Sequence, residues 1–537
     1  MQPEKKLNIL LEMRPALDGY AGIPQETRLL FRGLCLIDAV EVEGLLQASL
    51  RFLAAGMQEK RSPATATAES MRLNRYARVI VAIDSKPSAH PFPMLMLYLK
   101  RRRAAYGLML SSLLLPGSRK VKTSIFESRH FESFIWQALF AKTLPASDFA
   151  LVTARNYRVC TVPWNMFQSA GLNSLKFVSK PVYPELDTQG IDIFIAQTPY
   201  PARMGKNTAL VVRYHDALPV FMPHAFANKS RHQATHFNAL LSNVQSGAYF
   251  SCVSESTRQD LLCIFPELQE RAVTIHNMVS PHFFDEDSSA ARVPGIVRAR
   301  LNLGADAAHP QFRSLTEQES FYRQHLGTLN LPFKYLLMVS TIEPRKNHGR
   351  LIAAWEIIRA EIDPSIQLVI VGGLGWDVEP IMREMRSWID QGALFVLNNV
   401  PAADLRILYR HAAATVCPSL AEGFDFSGVE AMRSGGIAIA SDIAVHREVY
   451  ADAAEYFAPY CTTSLVATLK AVLYDPQSPQ VRERLCAAGK RVSSRYLPEA
   501  ILPQWEVFLR RITSAKQVGN GLPIAVELAD NSCVGAA

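Results

Sequence analysis

The chain has 537 residues, more than one hydrophobic core usually serves, and its 49% hydrophobic and 20% charged residues exclude a disordered protein. Lys and Arg number 57 against 49 Asp and Glu, an excess that suits anionic nucleotides or anionic lipid and does not by itself indicate nucleic acid. The eight cysteines show no Cys-x-x-Cys pair and no metal-ligand spacing, which predicts buried thiols of a reducing compartment.

The first apolar run, Leu7 to Leu11, is too short for a secretory signal and closes at Glu12, so it predicts a strand. After it, Asp18-Gly19-Tyr20-Ala21-Gly22-Ile23-Pro24 is a glycine loop feeding a helix. Further strands are expected near 78–83, 192–196, 209–214, 248–253 and 272–276, while residues 85–190 give no clear pattern. Within them, Met94 to Leu115 is interrupted by Lys100-Arg101-Arg102-Arg103 and lacks the apolar length to span a bilayer. It reads as a core helix with one solvated basic turn, ahead of a helix lying on an anionic membrane face. The strand ending at Tyr214 delivers His215-Asp216, in which His215 has the chemistry to hydrogen-bond a polar ligand and Asp216 to orient its ring or cap the next turn. Ser254 is expected to be an N-cap.

Asp285-Glu286-Asp287 is the only Asp-x-Asp and reads as a solvated loop rather than a metal site. Residues 288–332 read as an inter-domain linker with a helical insertion near 315–326. Beyond it, strands near 335–340, 367–371, 394–398, 414–417, 437–440 and 454–457 alternate with helices, which predicts a doubly wound parallel sheet. The expected division is a first Rossmann-like domain over 1–287, the linker, a second domain over 333–480, helices over 481–515 and a fraying tail over 516–537.

Two motifs in the second half carry chemistry. The strand from Tyr335 runs into Thr341-Ile342-Glu343-Pro344-Arg345-Lys346-Asn347 and a helix that Asn347 is placed to cap. Arg345 and Lys346, beside a helix N-terminus, suit a diphosphate. Gly372-Gly373 closes the next strand and lets backbone approach a ligand. Farther on, Glu422-Gly423-Phe424-Asp425-Phe426-Ser427-Gly428-Val429-Glu430 sets two carboxylates across a glycine turn that opens a helix, at the strand end where open α/β sheets bind ligands. Ser427 with Glu430 also fits a capping box.

The stretch Glu422 to Gly436 resembles the signature of retaining nucleotide-sugar glycosyltransferases of family 4, and Glu-Pro-Arg-Lys-Asn at 343–347 matches a second pattern of such enzymes. The resemblance implies a GT-B fold, two Rossmann-like domains facing a cleft. It implies that Glu430 holds the ribose, that Glu422 and His215 position the sugar, and that Arg345 and Lys346 stabilise the diphosphate. Gly22, Gly423 and Phe424 would offer backbone N–H groups to the donor. It further implies a retaining hexosyl transfer, of mannose or a similar sugar, from a nucleoside-diphosphate sugar to a glycan or lipid-linked acceptor, without metal or cofactor. The place of action would be the cytoplasm or the inner face of the plasma membrane. Asp425 to Gly428 depart from the usual Gly-Leu-Pro-Val of the family and leave the sugar open. A GT-B nucleotide-sugar epimerase and a silent partner subunit are the alternative readings.

Overall fold

A computed structural model describes residues 6–19, 22–58, 66–85, 90–114, 120–301, 309–326 and 333–517. In chain order the first half contributes β1 (Leu7–Glu12), β2 (Val40–Leu46), β3 (Lys120–Val121), β4 (Thr123–Glu127), β5 (Asn156–Cys160), β6 (Glu185–Leu186), β7 (Ile193–Ala196), β8 (Ala209–Tyr214), β9 (Tyr249–Cys252) and β10 (Ala272–Thr274). All but the small β3–β6 pair form one sheet in the order β10-β9-β8-β7-β1-β2-β5-β4, parallel except for the edge strand β4. The second half contributes β11 (Tyr335–Val339), β12 (Gln367–Val371), β13 (Leu394–Leu397), β14 (Ala414–Cys417), β15 (Ala438–Ser441) and β16 (Ala454–Phe457), all parallel, in the order β13-β12-β11-β14-β15-β16.

Strands such as β7, β11 and β13 read as unbroken apolar runs because helices cover both faces of each sheet. Along β1, Ile9 and Leu11 enter one core cluster and Leu10 the other; along β11, Leu337 faces one cluster and Leu336 and Met338 the opposite one. In both sheets the chain winds outward from a central strand and then returns to its other side. These reversals lie between β1 and β7 and between β11 and β14. Crevices at the carboxyl ends of such neighbours are where doubly wound sheets bind ligands, and the two crevices face each other across a cleft.

Several expectations need correction. Residues 78–83 are helical, inside Ala66–Asp84: Tyr76, Val79 and Ile83 are buried at helical spacing while Val81 is exposed, so tertiary burial overrides a β-branched run. The strands β2, β4 and β5 went unread. Glu41, Glu43 and Gly44 interrupt the apolar pattern of β2, and Gly44 is there because a Cβ would come within 2.7 Å of the Tyr157 ring. Of Met94 to Leu115, residues 94–114 lie in the helix Pro91–Leu114, whose second half alone is packed, and Leu115 lies outside the described residues. Cys263 is exposed, contrary to the expectation of buried thiols, and Cys461 and Cys486 are half-buried. Most of the tail, from 518 on, lies outside the described residues.

The halves are joined by two crossings. The helix Ser478–Ser493 stays with the second sheet through Leu485, Ala488 and Val492, whereas Pro498–Gln517 returns to the first, burying Trp505, Phe508, Leu509 and Ile512 in its core. The outward crossing meets the return where Val279 N–H donates to the Tyr496 carbonyl at 2.8 Å.

Candidate active site

A cleft of about 1030 Å³ lies between the two sheets. Its lining brings together Gly22 and His215 from the first half with Arg345, Lys346, Gly372, Glu422, Gly423, Phe424 and Glu430 from the second, the full set singled out in the sequence.

Arg345 and Lys346 sit on the turn that leaves β11, and Glu422 on the turn that leaves β14. The reversal in strand order makes these turns neighbours. One Arg345 Nη donates to Glu422 at 2.8 Å and to the Ala421 carbonyl at 2.6 Å, and the other reaches Glu343 at 2.9 Å. Lys346 Nζ donates to the other Glu422 oxygen at 2.5 Å. Burial opposes ionisation of Glu422, but the Arg345 and Lys346 charges outweigh it and hold its carboxyl below the usual range. The result is a rigid fork: the carboxylates fix both cations at the cleft wall. Gly372 lies behind them, where a Cβ would fall 1.9 Å from the Ser340 carbonyl; only glycine permits that approach.

Asn347 occupies the cap position of the helix His348–Glu361 with φ of 60°, but its side chain does not cap. It donates instead to the carbonyls of Pro418 and Pro459 at 3.1 and 3.0 Å, tying the cation turn to two others at the same sheet end.

The capping box expected of Ser427 and Glu430 is not formed. Asp425 is the N-cap of the helix Phe426–Arg433, accepting from Ser427 N–H at 3.0 Å, and His446 Nε2 lies 3.3 Å from its other oxygen. Glu430 is thereby free to face the cleft. One of its oxygens accepts from Gln25 Nε2 at 2.8 Å, across the cleft, and the other from the Tyr409 hydroxyl at 3.1 Å. Burial pushes its carboxyl up to about 7, against the lowering effect of these two bonds.

His215 leaves β8 half-buried, with Nε2 3.4 Å from Gln197 Oε1. Burial, aided by the Arg213 charge, lowers its pKa to about 3, so the ring is neutral near pH 7 and offers a hydrogen bond without a charge. Asp216 does not orient the ring; it caps the next turn by accepting from Leu218 N–H at 3.1 Å. The two halves are in direct contact here, since a Cβ on Gly423 would lie 1.7 Å from the His215 carbonyl, and Ser254, the N-cap of Glu255–Ile264, also donates to the Gly423 carbonyl at 2.8 Å. Phe424 packs its ring on Phe426 and Tyr496, which fixes the turn. Gly22 has φ of 68° at the start of the helix Ile23–Cys35, a conformation that favours glycine.

Sequence reasoning gave no role to Gln25, Tyr409 or Glu448. Glu448 braces the halves from beside the cleft: its carboxylate accepts from Glu255 and Ser256 N–H at 2.6 and 2.9 Å and lies 2.8 Å from His276. The position of Gln25 in the first turn after the glycine loop was a usable signal; Tyr409 and Glu448 sit on ordinary helices and gave none. Asp285-Glu286-Asp287 is not a free loop, because Asp285 pairs with Arg410 and Lys490, and Glu286 with Arg406, anchoring the crossing to the second half.

Residues 327–492 match the family model of glycosyl transferases group 1. Among characterised proteins, the chain is 33% identical over 119 residues to O-antigen chain mannosyltransferase B of Escherichia coli, covering 22% of this chain and 31% of that protein. It is 40% identical over 126 residues to O-antigen chain mannosyltransferase RfbU of Salmonella typhimurium, covering 23% and 34%. The matches thus span about a third of the length of these relatives. In fold the chain is similar to sucrose-phosphate synthase of Thermosynechococcus elongatus, with a TM-score of 0.54 at 14% identity over 95% of this chain and 100% of that one. The fold is therefore GT-B, and the sequence likeness to glycosyl transferases group 1 lies in residues 327–492.

Proposed function

We propose that the protein transfers a hexose, mannose or a close relative, from a nucleoside-diphosphate sugar to a glycan or lipid-linked acceptor in cell-surface polysaccharide synthesis. Transfer retains the anomeric configuration and needs no metal or cofactor, and it takes place in the cytoplasm, at the membrane face where the acceptor is held. The observation that carries this reading is the convergence, in one inter-domain cleft, of a fixed pair of cations with two carboxylates and a neutral histidine. The mannosyltransferase relatives support the sugar.

Cleaving the donor leaves a diphosphate of growing negative charge. Arg345 and Lys346, held by Glu422, stabilise that charge more in the transition state than in the bound donor, which is what lowers the barrier. Glu430 takes the ribose hydroxyls, exchanging them for the Gln25 amide. His215 and Glu422 position the sugar, and backbone N–H groups of Gly22, Gly423 and Phe424 approach the donor where side chains would obstruct it. Attack comes from the face the phosphate leaves, the leaving phosphate accepts the acceptor's proton, and no side-chain nucleophile is required. The experiment is a nucleotide-sugar screen by saturation-transfer NMR, followed by determination of the product anomer. Failure of every nucleotide-sugar to bind refutes the reading; an inverted product refutes its stereochemistry.

A further inference from the structure

The helix Pro91–Leu114 has two unlike halves. From 105 on, Ala105, Met109 and Ser112 are buried and the helix packs on Trp164–Ser174. Its first half projects: Phe92, Met94, Leu95, Met96, Tyr98 and Leu99 are each 45 to 72% exposed. At 100° per residue these six positions span about 200° of the helix circumference, and Pro93 and Leu97 stand in the remaining arc, so the tip is apolar on every side and suits an apolar medium better than one flat protein face. Pro91 and Pro93 remove two of the N–H groups that a helix start leaves unpaired, which lessens the penalty for taking that end out of water.

A basic collar follows at once. Lys100, Arg101, Arg102 and Arg103 form no ion pair with a carboxylate among the described residues; Arg101 donates to the Leu50 carbonyl at 3.0 Å and Lys100 lies 4.5 Å from the Phe52 ring. Leu50 and Phe52 stand just past the carboxyl end of β2. From that same end of the sheet, the Gly22 loop and His215 enter the cleft. No helix among the described residues is long and apolar enough to cross a membrane. At about 1.5 Å rise per residue the projecting turns reach only the headgroup and upper acyl region, where a cationic ring meets anionic headgroups.

We infer that the tip of this helix, residues 91–99, inserts into an anionic lipid surface while Lys100 to Arg103 bind its headgroups, turning the cleft-facing end of the first sheet toward the bilayer. This rests on the proposed lipid-linked acceptor and identifies the part of the chain that meets its surface.

The test is flotation with vesicles of phosphatidylcholine containing about one-third phosphatidylglycerol, against phosphatidylcholine alone. Wild type floats with the anionic vesicles only. Phe92→Ser with Leu95→Ser lowers its partition more than about tenfold, and Arg102→Gln with Arg103→Gln lowers it by about fivefold per charge, an effect that salt reproduces. These side chains are exposed, so melting temperature and nucleotide binding are unchanged in both variants. Wild type that stays at the bottom of the gradient, or a tip variant that floats as well as wild type, overturns the inference, as does a tip-dependent dimer in light scattering without flotation. Sugar transfer to a water-soluble acceptor, measured on the same samples, separates the two readings: flotation without any donor turnover refutes the transferase and leaves the membrane contact standing.

Discussion

Replacing Glu430 by Gln is expected to stabilise the protein while weakening its hold on nucleotide. The carboxyl is 5% exposed, and its pKa is raised from 4.5 to about 7. The folded chain therefore keeps this proton to higher pH than the unfolded chain, so stability falls as pH rises from about 4.5 to about 7 and the loss is complete above that. The gap of two to three pKa units corresponds to about 3 kcal/mol. Gln has no proton to lose and keeps both contacts, accepting from Gln25 and, with its hydroxyl turned, donating to Tyr409. Urea denaturation should find variant and wild type alike at pH 5 and the variant more stable by about 3 kcal/mol at pH 8. Glu26, also raised to about 7, adds the same slope to both proteins and cancels in the difference. Calorimetry should show nucleoside-diphosphate affinity reduced by about 1.5–3 kcal/mol, the range for hydrogen bonds to a charged group. A stability difference that does not change between pH 5 and pH 8 would refute the burial argument, and full nucleotide affinity would remove Glu430 from the ribose site.

Arg345→Ala with Lys346→Ala should weaken nucleoside-diphosphate binding by roughly 1.5–3 kcal/mol per lost contact. It should also lower stability by about 3–5 kcal/mol, because Glu343 and Glu422, 3% and 6% exposed at their side chains, lose their partners; unchanged donor affinity by calorimetry would end the clamp assignment. Gly423→Ala should hold the halves apart, since its Cβ would fall 1.7 Å from the His215 carbonyl. Small-angle scattering should then show a larger radius with normal circular dichroism, and an unchanged radius with full turnover would contradict that. Glu448→Ala strips the donors at the start of Glu255–Ile264 of their acceptor and should reduce stability by about 1 kcal/mol, measured by denaturation; no change would mean that water replaces the carboxylate at no loss.

The second sheet was legible because its strands, the edge strand β16 excepted, are buried on both faces and read as apolar runs between helices. The same physics hid the first half between residues 40 and 190. There β2 carries two glutamates and a glycine, β4 is an antiparallel edge strand, and a β-branched stretch lies in a helix that uses only every third or fourth residue. Within the cleft, the motif residues could be placed from their spacing after β11 and β14. Their partners could not: Gln25 and Glu430 are 405 positions apart, and nothing local to Ser427 tells that Asp425 takes the cap and releases Glu430. The same holds for Glu422, whose pairing with both cations depends on strand order rather than on any neighbour in sequence.

The hydrogen bond from Val279 to Tyr496 laces together the only two places where the described chain passes between the halves. A pair of tethers joined side by side yields easily to bending but resists shear, because sliding one half past the other would break the lace and drag Trp505 from the core beneath it. Opening the cleft thus resembles a book turning on its spine. The walls part and meet again without changing register, so His215 on one wall and Glu422 on the other return to the same relative height, a repeatability set by the spine of the chain itself.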